Sequence, residues 1–263
     1  MVDVSLALRE EADNLAGQLF GNDRGKRASF TNRLLETYSL AQDIDLLLIH
    51  NPGGWGSSSL QQLLKWERSL VEGVCTTVDQ LGYRWRLVQY FRNGNSWWAH
   101  LRDLKEQTRF FFKGKYAKAG VMAAELEFIT RHLNTLRVVL IGVSQGAAFS
   151  NAVMRHLGES PRVFSIEMGI FFPHMAWRVI TPRTLAIDSN GAMPDPMAQR
   201  NLKVGFRAYI TAPSRWAKYR LQGKPVKFTY CVNAPGHDYN WEYPGVHQPI
   251  TDFIKANFGR KNN

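Results

Sequence analysis

Apolar residues recur at helical spacing along the first forty positions. Leu8, Ala12, Leu15 and Leu19 fall at i, i+4, i+7 and i+11, the polar run Asn22-Asp23-Arg24-Gly25 interrupts them, and Phe30, Leu34 and Tyr38 resume the pattern. This predicts two helices and no strand before residue 44. Beyond that point short apolar, β-prone runs alternate with longer helical stretches. The runs are Ile44–Ile49, Tyr83–Phe91, Arg137–Ile141, Arg162–Ile166, Thr184–Ile187 and Val226–Val232. Between them, Ser58–Leu81, Ala117–Leu136 and Gln145–Leu157 are long enough to be crossover helices. Pro249–Phe258 follows as a further helix, with proline at a suitable first position.

Strands alternating with helices predict an α/β fold, a mainly parallel sheet of about six strands with helices on both faces. Runs such as Asp45–Ile49 and Arg137–Ile141 lack polar alternation, as expected of strands buried on both sides. No internal repeat and no low-complexity linker divides the chain, so residues 1–40 read as a helical N-terminal extension and 41–263 as one α/β domain. A length of 263 residues with 44% hydrophobic residues suffices for a large core and excludes disorder as the main state. Cys75 and Cys231 alone make no disulfide framework, and neither lies at zinc-ligand spacing. No run approaches a membrane span and the N-terminal stretch is acidic where a signal peptide needs its apolar centre, so a cytoplasmic protein, peripheral to a membrane at most, is expected.

Charge changes the picture. With 33 Lys and Arg against 22 Asp and Glu, the formal net charge is +11. Eight basic residues and no acid lie between Arg200 and Lys227, interleaved with Phe206, Tyr209, Trp216 and Tyr219. A solvated basic face is the plainest reading; an anionic membrane surface or anionic substrate is the next, and nucleic acid is disfavoured. Within this strip Ser214 is a reasonable N-cap and Gly223 a reasonable stop, predicting a short helix over Arg215–Gln222.

The candidate chemistry centres on Gly142-Val143-Ser144-Gln145-Gly146, directly after one predicted strand and directly before a predicted helix. A tight glycine-flanked turn between strand and helix lifts a serine hydroxyl out at the strand's carboxyl end, where a base can reach it. The amide of Gln145, at the start of the helix, is placed to stabilise an oxyanion. An ordinary structural glycine turn is the competing interpretation. A second glycine-rich loop, His50-Asn51-Pro52-Gly53-Gly54-Trp55-Gly56, follows the first strand.

In these two loops, and in a later Asp and His, the chain resembles the α/β-hydrolase superfamily of serine esterases and lipases, over roughly residues 44–258. The resemblance implies Ser144 as nucleophile. It implies an oxyanion hole from Gln145 with Gly54 or Trp55, and a triad in the order Ser, Asp, His. The loop Ala234-Pro235-Gly236-His237-Asp238-Tyr239 occupies the family's histidine position, which makes His237 the base. His247 is the rival, and His50 is read as a loop-packing residue. The acid comes from Asp188-Ser189-Asn190-Gly191-Ala192-Met193-Pro194-Asp195, with Asp195 favoured and Asp188 as the alternative acid. No cofactor and no metal are implied.

The stretch between Ser144 and Asp195 is too short for a large cap, so any lid is small. Gly169–Trp177, or Trp97, Trp98 and Arg109–Tyr116, are the apolar candidates, with core packing the plainer interpretation of both. A small-molecule or lipid-like ester is the expected substrate. Two other classes stay open: a non-catalytic α/β-hydrolase-fold binding protein, and a basic protein binding membrane surface or nucleic acid.

Overall fold

The computed structural model describes residues 5–53, 60–90, 117–199, 202–223, 231 and 234–260. The chain opens with α1 (Leu6–Phe20) and α2 (Arg24–Ala41), and no strand precedes β1 in residues 5–45. Ser5 caps α1, its hydroxyl accepting from the Leu8 amide, and Asp23 caps α2 by accepting from the Lys26 amide. Leu8, Ala12 and Ala16 are the buried positions of α1, the small alanines allowing close approach, and Phe20 packs its ring on Phe30 of α2.

The remaining elements alternate as read. They are β1 (Leu46–Asn51), α3 (Lys65–Gln80), β2 (Trp85–Gln89), α4 (Ala117–His132), β3 (Arg137–Val143), α5 (Gln145–Leu157), β4 (Val163–Met168) and β5 (Thr184–Ile187), then α6 (Leu202–Leu221) and α7 (Pro244–Phe258). The sheet among the described residues has five strands, all parallel, in the order β2-β1-β3-β4-β5. That is one fewer than the expected six; the expected strand 226–232 lies, apart from Cys231, outside the described residues.

The burial explains the unbroken apolar strands. Leu47, Ile49, Val138 and Leu140 point into one core, shared with α1, α2, α4 and α5. Leu46, Leu48, Val139 and Ile141 point into a second, shared with α3 and α7. Successive strand residues face opposite sides, so a strand covered on both must be apolar at every position. The N-terminal helical pair is thus packed into the same core as two sheet helices, and Arg33 of α2 pairs with the buried Glu125 of α4 at 3.1 Å.

Most elements differ from expectation by a few terminal residues, and three helices differ by more. The helix expected over Ser58–Leu81 is a 3-10 turn (Leu60–Gln62) followed by α3 from Lys65, with Leu64 at its N-cap. α7 starts at Pro244, because Tyr243 is already extended and a proline in the first turn forfeits no helical bond; Pro249 is carried inside the helix. The short helix expected over Arg215–Gln222 belongs to the 20-residue α6, which runs through Pro213. Ser214 therefore caps nothing, and its hydroxyl turns back to the Thr211 carbonyl.

Candidate functional site

In a sheet ordered β2-β1-β3-β4-β5, successive crossovers leave β1 and β3 toward opposite sides, which opens a crevice at their carboxyl ends. Asn51 ends β1 there, and Ser144 directly follows Val143, the last residue of β3. Ser144 is the one non-glycine residue with positive φ among the described residues, at φ 54° and ψ −115°. Its amide donates to the carbonyl of Met168 at the end of β4 (2.8 Å), and its carbonyl accepts the first bond of α5, from Ala148 (3.1 Å). The turn is held from both sides while α5 begins at the next residue, Gln145.

The β1 loop touches this turn backbone to backbone. A Cβ at Gly146 would lie 2.0 Å from the Asn51 carbonyl oxygen, so only glycine permits the approach. The loop is pinned from below by a carboxylate. Glu67 Oε1 accepts from the Gly53 amide (3.1 Å) and from His50 Nε2 (3.2 Å), while Gln89 Nε2 donates to His50 Nδ1 (3.2 Å). His50 is fully buried in this network, as a packing residue of the loop. Gly54 and Trp55, the expected oxyanion donors, lie outside the described residues, as do Trp97, Trp98 and 109–116.

Asp195 is the carboxylate that meets His237. His237 Nδ1 lies 2.7 Å from Asp195 Oδ2; the Tyr239 hydroxyl donates to the same oxygen at 2.6 Å, and the Met197 amide donates to Oδ1 at 2.7 Å. Burial by itself would raise the Asp195 carboxyl. The hydrogen bond and charge of His237, with the Tyr239 and Met197 donors, outweigh it and hold Asp195 below the usual carboxylate range. Asp195 is therefore ionised, can only accept, and fixes the His237 proton on Nδ1, which leaves Nε2 as the basic nitrogen. Burial, then the Asp195 charge, push the Tyr239 phenol far above its ordinary value, so it stays a donor.

Ser144 and this pair come from parts of the chain that converge at the end of β4. Gly169 follows Met168, the partner of the Ser144 amide, and has φ +57°. A Cβ there would lie 2.4 Å from Asp195 Oδ2 and 2.8 Å from the Tyr239 hydroxyl. The structure thus joins His237 to Asp195 and brings the Ser144 backbone to the end of β4 beside them, while among the described residues no hydrogen bond links the Ser144 hydroxyl to His237.

Asp188, the alternative acid, is engaged elsewhere. Its Oδ2 pairs with Arg178 Nη1 at 2.6 Å, and Arg178 Nε reaches Glu167 Oε2 at 3.3 Å. Glu167 is fully buried in β4 and also accepts from Asn151 Nδ2 and the Ser165 hydroxyl. Burial pushes the Glu167 carboxyl up to about 7, against the opposing pull of Arg178, Asn151 and Ser165. This cluster ties the segment Phe172–Trp177, a 3-10 turn, and the following Val179 to β4 and α5, since Asn151 also bonds both the amide and the carbonyl of Val179. His247 lies within α7 against the Trp241 ring.

Glu67, Glu167 and Tyr239 escaped the sequence reading. Glu67 carried a signal, since it shares the α3 face of Leu70, Val71 and Val74 at i, i+3, i+4 and i+7. Glu167 did too, as a carboxylate between Ile166 and Met168 in a buried strand. A groove of about 600 Å³ between α3 and β2, lined by Leu60, Val71, Cys75, Trp85 and Leu87 among others, includes none of the candidate site residues. Among the described residues no group of three His, Cys, Asp or Glu side chains could hold a metal ion, and no helix is long and apolar enough to cross a membrane. The chain matches no family model and no curated protein.

Proposed function

We propose that this protein is a serine hydrolase of the α/β-hydrolase type, cleaving an ester-like substrate through Ser144, His237 and Asp195. The observation that carries the proposal is the His237–Asp195 pair at 2.7 Å, assembled on the same carboxyl edge of the sheet as a serine in a strained strand-to-helix turn. Strained non-glycine backbone persists only where the surroundings enforce it, and it concentrates at sites of chemistry.

In this reading His237 Nε2 takes the Ser144 proton as Oγ attacks the substrate carbonyl, and Asp195 stabilises the imidazolium that results. The tetrahedral oxyanion is met by the Gln145 amide, which precedes the first helical hydrogen bond of α5. The Gly53 amide is committed to Glu67, so the second donor comes from the next amides of the loop, at Gly54 or Trp55. Collapse expels the leaving group, which receives the proton from His237. Water, deprotonated in turn by His237, then attacks the acyl-enzyme, releasing the acid and restoring Ser144.

A fluorophosphonate probe tests this without knowledge of the substrate. The wild-type chain should label at a single serine, and Ser144→Ala and His237→Ala should each abolish labelling while retaining the folded circular-dichroism spectrum. Labelling that persists in Ser144→Ala, or a folded wild type that does not label, overturns the reading.

A further inference from the structure

The helix α6 (Leu202–Leu221) carries Lys203, Arg207, Arg215, Lys218 and Arg220 and no acid. Its inward side is set by Ala208, which packs with Met197, Ala234 and Phe171, and by the fully buried Ala212. At 100° per residue the opposite side holds Lys203, Arg207, Ile210, Ser214, Lys218 and Leu221, all exposed. Ile210 is 59% exposed and Leu221 89%, so the cations are spaced by two large aliphatic side chains presented to solvent. At its end, Arg220 lies over the Trp216 ring, 4.4 Å from the centroid.

A solvated face needs the charges but not the aliphatics, and a nucleic-acid surface gains little from exposed Ile and Leu among its phosphate contacts. Cations that meet headgroup phosphates, with aliphatics that enter the acyl boundary, are the composition of a helix lying in a membrane interface. We propose that α6 is a peripheral docking helix that seats this protein on an anionic lipid bilayer through the face of Lys203, Arg207, Ile210, Lys218 and Leu221. The assignment is independent of the hydrolase reading.

Geometry adds an orientation. The inner side of α6 rests on Met197, two residues past Asp195, and the half-exposed Met193 lies against Gly236, the residue before His237. Docking therefore brings the acid and histidine loops to the bilayer side of the molecule.

The test is vesicle flotation with the full chain, using phosphatidylcholine alone or mixed with phosphatidylserine, and a DNA duplex as the competing polyanion. Binding is expected to mixed vesicles and not to phosphatidylcholine alone, and to be lost as the Debye length shrinks from about 30 Å at 0.01 M salt to about 3 Å at 1 M. The triple variant Lys203→Glu, Arg207→Glu, Lys218→Glu should weaken binding to mixed vesicles at least about a hundredfold. Ile210→Ser with Leu221→Ser should weaken it about tenfold without altering any affinity for the duplex. Equal binding to both vesicle types, binding untouched by either variant, or binding to the duplex with none to vesicles overturns the proposal. All substituted positions are on the solvent side, and circular dichroism of each variant verifies the fold.

Discussion

The Ser144 turn makes a prediction about stability that is separable from chemistry. Its backbone at φ 54° and ψ −115° is one that a side chain opposes and glycine accepts. A non-glycine residue held in so sparse a region costs about 1–3 kcal/mol. Glycine gives back about 0.5–1 kcal/mol through the greater freedom of its unfolded chain. Ser144→Ala and Ser144→Gly both delete the hydroxyl, so the difference between them isolates the Cβ. Ser144→Gly is expected to be more stable than Ser144→Ala by about 1 kcal/mol, or about 2–4 °C in thermal midpoint for a chain of this size. Urea denaturation of the three proteins side by side, with thermal unfolding as a second measure, gives the comparison. Both variants are expected to lose probe labelling, with the glycine variant the sturdier of the two. If Ser144→Gly proves equal to or weaker than Ser144→Ala, the turn stores no strain and the physical basis for an activated serine there falls.

Asp195→Asn should lower turnover on a generic ester by about 10⁴, because the amide no longer enforces the Nδ1 proton; Asp188→Asn should leave turnover within about tenfold while lowering the unfolding free energy through Arg178, so the opposite pattern would reassign the acid. Tyr239→Phe should cost about 1–3 kcal/mol near neutral pH, since it removes a buried hydrogen bond to a carboxylate. Because Asp195 titrates lower in the folded chain than unfolded, that loss is full above about pH 4 and shrinks as pH falls through the folded value; a loss that does not change with pH would refute the linkage. Glu167 has the opposite sign. Its folded value near 7 means the native state holds a proton that the unfolded chain releases near 4.5, so this residue makes the protein lose stability as pH rises between those values. Glu167→Gln should flatten that slope in denaturation measured at a series of pH values, and an unchanged slope would refute the assignment.

Much of the fold was legible because it rests on local rules. The helix after Ser144 could be read to the residue, Gln145–Leu157, and the strand before it differs only in its last two positions. The helical pair was equally plain, since amphipathic spacing and polar breaks are written in adjacent residues. What escaped depends on residues distant in the chain. The start of α7 was misplaced because two prolines, Pro244 and Pro249, both suit a first turn, and only packing decides. The length of α6 was missed because Ser214 reads as an N-cap, whereas the helix starts at Leu202, buries Ala208 and Ala212 and runs on through Pro213. Asp188 and Asp195 share one loop, and Asp195 was favoured there only by its likeness to the family's acid position. Arg178, drawn to Glu167 from an adjoining segment, occupies the first, and Tyr239 and His237 occupy the second.

The two faces of the sheet are closed at different times during synthesis. The face shared with α1, α2, α4 and α5 has all its helices by residue 157, so a growing chain can bury it early. Among the described residues the helices on the other face are α3 and then α7, which begins about 160 residues after α3 ends. Until Val246, Ile250, Ile254 and Phe258 emerge, a nascent chain lacks their share of the apolar cover over Phe164, Ile166 and Ile187. When α7 docks, Tyr83 donates to the Phe258 carbonyl, and the Trp241 ring fills the place beside Gly73 that any larger residue would deny it. The histidine loop lies directly before that helix, so the His237–Asp195 pair forms only as the second face closes, and a half-made chain both exposes apolar surface and lacks that pair.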